Sequence, residues 1–447
     1  MALLTAQKQQ ASAMGDFAKA GDLQKRIILT IIALIVFRFG THIPLPGIDP
    51  NKVMDIFSNS SAKSLLGMLN TFVGGALSRM SILTLGITPY ISASILIQVG
   101  SYAFESLVAL RKEGESGHRK LNQYTRYLTI LMTILQAYAV AIGLEKEGSV
   151  VMSSIWTFRL TTVISLLCGT LFIVWLGNQI TSRGVGNGIS LVIAIGILSE
   201  VPSAFARVLE LGRAGELSQM TVFVLLVMTI VFFVVVVMVE RAQRRIVIQY
   251  PKGMSVGVRS LSMKNSYFPL KINIGGIMPP FVSAILLMMP LLLLQYLANS
   301  GGSSSVVAQT ILVWFRRGDV LYVLVHATLI MLLAFFFTAL YFNTNEVAED
   351  LKKNGGFIAG IRPGKSTAEY LDYVATRLTF FGGIYLIALC VIPEILIFNY
   401  SIPFILSGVS LLIVVTVIMD TMSQIQSRLF ASQYESLIRK AQLKGRL

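Results

Sequence analysis

Three histidines and two cysteines are the side chains in this chain best suited to proton transfer, nucleophilic attack or metal binding. His42, His118 and His326 stand far apart, and no HExxH, GxSxG or paired intramembrane aspartate pattern gives them a partner. Cys168 and Cys390 are scattered through apolar runs, which supports neither a disulfide framework nor a metal site. A GxxxxGK(S/T) phosphate loop is also missing, so nucleotide hydrolysis is left to some other protein. His326, inside an apolar run, reads as an interhelical hydrogen-bond partner. Arg38, Glu240 and Asp420 lie near the ends of such runs, where long side chains reach back to water. The expectation is a chain that is not an enzyme, with no catalytic residue, no cofactor and no metal.

Helix-breaking residues take the place of catalytic ones. The stretch 70–98 reads NTFVGGALSRMSILTLGITPYISASILIQ. A short apolar piece, Ser64 to Phe72, leads into Gly74-Gly75; Arg79 follows, and a second apolar run opens near Ser81 with Pro89 at its middle. Crossing the hydrocarbon core takes about 20 residues, so the first piece must turn back or end within protein. Non-helical backbone at membrane depth survives only where protein or a water-filled cavity satisfies it. The segment points to a cavity with something short sitting in it. Arg183-Gly184-Val185-Gly186-Asn187-Gly188 makes a further Gly-rich turn, and Gly275-Gly276 with Pro279-Pro280 loosens the start of a later run that Pro290 interrupts.

These breaks lie in a polytopic membrane protein. Of 447 residues 54% are hydrophobic and 13% charged, against about 25% charged in soluble domains; mean hydropathy is +0.72. About ten apolar runs can span, near 23–42, 80–100, 124–144, 157–177, 188–206, 220–239, 274–297, 320–342, 377–393 and 402–420. With the N-terminus inside, about 27 basic residues fall on the inner segments and about 9 on the outer, while the acids divide about 13 to 9. Nearly all of the formal +15 therefore lies on one face, which places both termini in the cytoplasm. The polar N-terminal stretch has no apolar core or cleavage site and reads as a short amphipathic or disordered arm rather than a signal peptide.

Four divisions follow: an arm at 1–22, an N-terminal half at 23–213, a C-terminal half at 214–425 and a tail at 426–447. Three cytoplasmic loops stand out for length and charge, Glu105 to Tyr127, Glu240 to Lys271 and Asn343 to Arg377. In the second, Arg245 to Tyr250 alternates as a strand does, which predicts a β-hairpin reaching into the cytoplasm. Long basic loops punctuated by Gly and Pro suit a large acidic partner such as ribosomal RNA, or a motor protein, and also attract anionic phospholipid. One internal echo joins the halves: Gly86-Ile87-Thr88-Pro89 lies in the second run and Gly276-Ile277-Met278-Pro279 opens the seventh. Five runs per half invert the second half, and interrupted helices at matching places in inverted repeats mark a central pathway. The alternative, a secondary transporter of a small solute, lacks the ionisable groups at mid-membrane depth that ion coupling needs.

Taken together, GGALSRMSILTLGITPYISASI, EGESGHRKLNQYTRY, RGVGNGIS, ERAQRRI, GIRPG and SQYESLIRKAQLKG, in this order from about Arg26 to the end, resemble the SecY/Sec61 family of protein-translocation channels. The resemblance implies an all-α fold of ten transmembrane helices in two inverted five-helix halves around a central channel in the bacterial inner membrane. It implies a gated conduit for unfolded preproteins and their signal sequences, with sideways release of apolar segments into lipid. The partners it implies are the small subunits SecE and SecG, the ATPase SecA and the ribosome.

Residue by residue, the family's plug maps to Ala62 through Phe72, with Ser64, Leu65, Leu66, Met68, Leu69 and Phe72 among its residues. Its apolar constriction falls on Ile87, Ile91, Ile193, Ile197, Phe281 and Ile413. The family's aliphatic residue is replaced at Phe281, which either makes the constriction bulkier or takes that position out of it. Ile87 with Ile91, and Ile193 with Ile197, are each four apart and share a helix face; stiff branched side chains suit a gasket that holds back water by dewetting. The lateral gate maps to Ser92 and Gln98 opposite Met289. Arg259, Arg362 and Tyr434 match positions where the family engages its motor and ribosome.

Overall fold

The computed structural model describes residues 21–49, 73–146, 154–215, 218–250, 266–299, 312, 315, 319–400 and 408–444. Twelve helices and three strands follow in chain order: α1 (Gly21–Gly40), α2 (Thr88–Ala103), α3 (Glu105–Lys112), α4 (Glu115–Lys146), α5 (Ile155–Arg183), α6 (Gly188–Arg213), α7 (Gln219–Arg241), β1 (Gln243–Gln249), β2 (Ser266–Lys271), α8 (Met278–Asn299), α9 (Val320–Tyr341), α10 (Thr344–Lys353), β3 (Phe357–Ile358), α11 (Lys365–Tyr400) and α12 (Gly408–Lys444). Among the described residues seven helices are long and apolar enough to cross a membrane alone, and α2 with α3 makes an apolar pair bent by 95°, an eighth if the two are taken as one span. With α1 and the shorter apolar α8, ten helices overlap the ten runs. The expected plug residues, Arg259 and most of the N-terminal arm lie outside the described residues.

The chain divides into two compact units, one running through Ser203 and resuming at Val417, the other from Ala204 to Thr416. In the first, Ala33 and Phe37 of α1, Leu83 and Ile87, Ile173, Leu176 and Ile180 of α5, and Val192 of α6 bury one another. A second core joins Leu45 and Met80 to α4 and α5 through Ala137, Ala141, Phe158 and Leu166. Small residues let backbones approach here, as bilayer packing requires: a Cβ on Gly169 would collide with the Ile82 carbonyl.

In the second unit α9 packs against α8 and α11, with Leu333, Phe337 and Leu340 buried against Met278 and Val282. The outward face of α7 is almost wholly apolar and exposed, and its buried residues are Leu225, Val236 and Glu240. A hydrophobic helix surface of this kind is solvated by lipid. Ser218 caps its start, the hydroxyl accepting from Met220 N–H at 3.3 Å.

The predicted hairpin is present, and it is larger than the alternation alone conveys. β1 pairs antiparallel with β2, Ile246 opposite Phe268, and on its other edge β3 adds through Ile248 opposite Ile358. The second and third loops are thus one three-stranded sheet, β2-β1-β3, which buries Ile246, Leu270 and Ile358 against Leu371 of α11.

Candidate functional site

The second apolar run does not become helix where its hydropathy begins. Residues from Val73 to Ile87 form successive turns, and α2 starts at Thr88. Ser81 and Thr84 make this compact: Thr84 Oγ1 donates to the Ala76 and Ser81 carbonyls at 3.2 and 2.5 Å, and Ser81 Oγ accepts from Leu83 N–H at 3.2 Å. Gly86 turns the chain with φ +55°, a region glycine alone enters cheaply. Pro89, expected at mid-span, instead occupies the first turn of α2, where a missing N–H costs nothing.

This turn sets the isoleucines. Ile87 is the N-cap and is buried; Ile91 is half-buried one turn on, with its N–H on the Ile87 carbonyl at 3.0 Å. Both pack into the core that holds Val192, and half-buried Ile193 of α6 packs against the same core. Ile197, one turn along α6, is fully buried. Three of the expected constriction residues therefore share one apolar cluster within the first unit. Phe281 of α8 and Ile413 of α12 are buried within the second unit. Ser92 and Gln98 lie half-buried on α2, and Met289 lies on α8.

The echo between the halves is conformational as well as verbal. Gly276 has φ +61° against +55° at Gly86. Each helix starts two residues after its glycine, at Met278 and Thr88, with proline second. Phe281 N–H bonds the Ile277 carbonyl at 3.3 Å, as Ile91 N–H bonds that of Ile87. Phe281 thus occupies in α8 the place of Ile91 in α2.

Polar ties surround the first of these turns. Arg38 donates to the Gly74 carbonyl at 2.8 Å, rather than reaching to water. Arg79 Nη1 contacts His42 Nε2 at 2.9 Å and His42 Nδ1 contacts the Arg38 carbonyl at 3.0 Å. Arginine can only donate, so His42 accepts at Nε2 and carries its proton on Nδ1. Gly74 and Gly75, at φ +68° and +78°, press on Gly196 and on Glu200 of α6; a Cβ on Gly75 would strike the Glu200 carboxylate.

The Gly-rich turn at 183–188 is likewise a junction. Val185 N–H donates to Thr30 Oγ1 of α1 at 3.1 Å, and Gly186 N–H to Gln424 Oε1 of α12 at 3.1 Å. Arg362 stands exposed between Gly360 (φ +82°) and Gly364 (φ +105°), and its carbonyl is fixed by Thr367 Oγ1 at 2.9 Å. The GIRPG motif thus projects one guanidinium from a tight turn; Tyr434 lies farther along α12.

Two acids depart from the sequence reading, Glu394 because it has no expectation there and Glu240 because it has a different one. Glu394 of α11 meets His326 of α9, Nδ1 to Oε2 3.2 Å, and Tyr322 donates to its other oxygen at 3.5 Å. The expectation for His326 holds, and the signal that would have found its partner is a lone Glu within VIPEILIF. Glu240, expected to reach for water, is 6% exposed and accepts from Asn273 at 2.8 Å. The reason is local: β1 follows α7 after one residue, and its pairing with β2 brings Asn273 back beside that carboxylate. Both cysteines are free thiols.

Known proteins share this plan. The family model for SecY matches residues 81–422. The protein translocase subunit SecY of Rickettsia conorii is 46% identical over 437 residues, covering 96% of this chain and 99% of the relative. That of Escherichia coli K12 is 43% identical over 439 residues, with 96% and 98% covered. Among solved structures, "The structure of a protein conducting channel" aligns with TM-score 0.61 at 16% identity, covering 91% of this chain and 92% of that one. "Sec61 in the Canine ribosome-channel complex from the endoplasmic reticulum" aligns with TM-score 0.59 at 15% identity, with the same coverage. The chain is a multi-pass membrane protein with the fold of a protein-conducting channel, and it belongs to the SecY family of protein translocase subunits.

Proposed function

We propose that this chain is the passive, gated conduit of the general preprotein translocase of a bacterial inner membrane, with both termini in the cytoplasm. The observation that carries this reading is the shared apolar cluster of Ile87, Ile91 and Ile193, seated at the glycine-broken start of α2. Branched apolar side chains at a constriction exclude water and ions until a polypeptide fills it. Ile197, Phe281 and Ile413 complete the ring, and the segment from Ala62 to Phe72 stoppers it.

A polar segment passes through the aqueous path. A sufficiently apolar one leaves sideways between α2, with Ser92 and Gln98, and α8, with Met289, because burying apolar surface is favourable at about 25 cal/mol per Å². Energy comes from the SecA ATPase or from chain elongation on the ribosome, which dock on the basic loops and near Arg259, Arg362 and Tyr434. SecE and SecG are the small membrane partners, and anionic phospholipid lies against the basic face.

Affinity purification of the full chain from its membrane, followed by reconstitution with SecA, ATP and an unfolded precursor, tests the reading. Two small membrane subunits should co-purify and the precursor should enter the vesicles only with both SecA and ATP. Saturable uptake of a small solute by the chain alone, with no precursor transport, overturns it.

A further inference from the structure

Between β2 and α8 stands Asn273, whose side-chain nitrogen has two acceptors. It donates to Glu240 Oε1 of α7 at 2.8 Å and to the Gly276 carbonyl at 3.1 Å. One amide therefore ties the C-terminal end of α7 to the left-handed turn that opens α8. Both side chains are dry, Asn273 at 5% exposure and Glu240 at 6%, and a hydrogen bond to a carboxylate in such surroundings is among the stronger kinds. The backbone repeats the tie, with Ile272 N–H on the Ala242 carbonyl at 3.2 Å. From the other side Gly382 of α11 lies against Ile272, whose carbonyl would be 2.7 Å from an added Cβ. Tyr385, near one turn on, has a buried hydroxyl without a partner among the described residues.

At this fixed point the turn itself has room around it. Nothing stands within 4 Å of where a Cβ on Gly276 would be. Pro279 and Pro280 set φ in the first turn of α8 without costing it a hydrogen bond, and Pro290 interrupts the helix farther on. A rigid tie beside an open joint makes a pivot. The matching turn of α2 is secured differently: Leu83 holds the place of Asn273, and a Cβ on Gly86 would meet Val73 at 3.1 Å.

We propose that Asn273 is a positioning residue for transport: its amide, anchored on Glu240, fixes the pivot on which α8 swings and so sets how readily the channel opens. This rests on the reading of α8 as a gate helix. The bond to Gly276 places the constraint three residues upstream of Pro279 and ahead of Phe281 on the same helix, so loosening it displaces the constriction without touching it.

The test uses the full chain with its co-purified subunits in planar bilayers, comparing wild type with Asn273→Ala, Asn273→Asp, Glu240→Gln and, as a control, Leu333→Ala. Leu333→Ala weakens the core that packs α9 against Met278 and Val282 at the start of α8, with the Asn273–Glu240 bond left in place. Asn273→Ala and Asn273→Asp should raise the frequency of resting openings about ten-fold, the shift expected from losing one hydrogen bond to a charged group. Glu240→Gln, which still offers an oxygen to the amide but no charge, should raise it by clearly less than either Asn273 variant. Unchanged openings in both Asn273 variants overturn the proposal. So does an equal rise in Leu333→Ala at the same loss of thermal stability, because the effect then reports general weakening. Should Asn273→Ala fail to assemble, Asn273→Asp carries the comparison. If the wild type moves no precursor with SecA and ATP, the gate reading itself falls; wild-type transport with unaltered openings in the variants removes Asn273 alone.

Discussion

Ile91 and Ile193 are half-buried side chains in one cluster, each on a different helix. Replacing both with Ser keeps the helices and removes the branched surface that dewets the constriction. The expected outcome is a steady ion leak through the resting channel in planar bilayers; an unchanged conductance takes both residues out of the seal. Glycine positions allow a second argument of the same size. Gly86 and Gly276 share a left-handed backbone, and putting Ala there costs about 1–2 kcal/mol from φ alone. Gly86 also faces Val73, whereas Gly276 faces open space. Gly86→Ala should therefore lower the thermal unfolding midpoint in detergent more than Gly276→Ala, and the reverse order would disprove the packing account.

Elements were unevenly legible in the sequence. The long runs that became α4, α5, α7, α9 and α11 are evident because a bilayer demands length and apolarity together. The start of α2 was placed too early, since hydropathy registers that residues 81–87 are apolar but not that they are turns closed by Ser81 and Thr84. The pairing of β1 with β3 is invisible for another reason: it joins two loops with α8 and α9 between them, and no local pattern encodes the partner of an edge. Glu394 escaped notice because a single acid in an apolar run has no periodicity. Its contact with His326 links α9 to α11, with His326 only 3% and Glu394 15% exposed. Removing one partner of a buried hydrogen bond leaves the other unsatisfied at about 1–3 kcal/mol, whereas replacing both by apolar residues costs far less. Glu394→Leu should thus destabilise the chain in thermal unfolding more than His326→Leu with Glu394→Leu together. A double variant worse than the single would remove the pair from the account.

At the scale of the molecule, basic charge is unevenly divided among the segments between the spans. About 27 of the 37 basic residues belong to the segments that the proposed topology puts in the cytoplasm, and Arg362, in one of them, stands at the tip of a turn with two left-handed glycines. Charge reversal, Arg362→Glu, should reduce SecA-driven export several-fold while the amount of assembled channel stays constant, and the defect should shrink as salt screens the wild-type attraction over about 8–10 Å. Export unaffected by the reversal would exclude that contact. The three-stranded sheet gives such a contact reach. β1 leaves α7 after one residue, β2 runs into Asn273 after one more, and β3 brings in the loop that bears Arg362. Under the proposed function, a partner that grips these strands holds a handle joined through Asn273 to the start of α8, and its pull reaches that helix as torque.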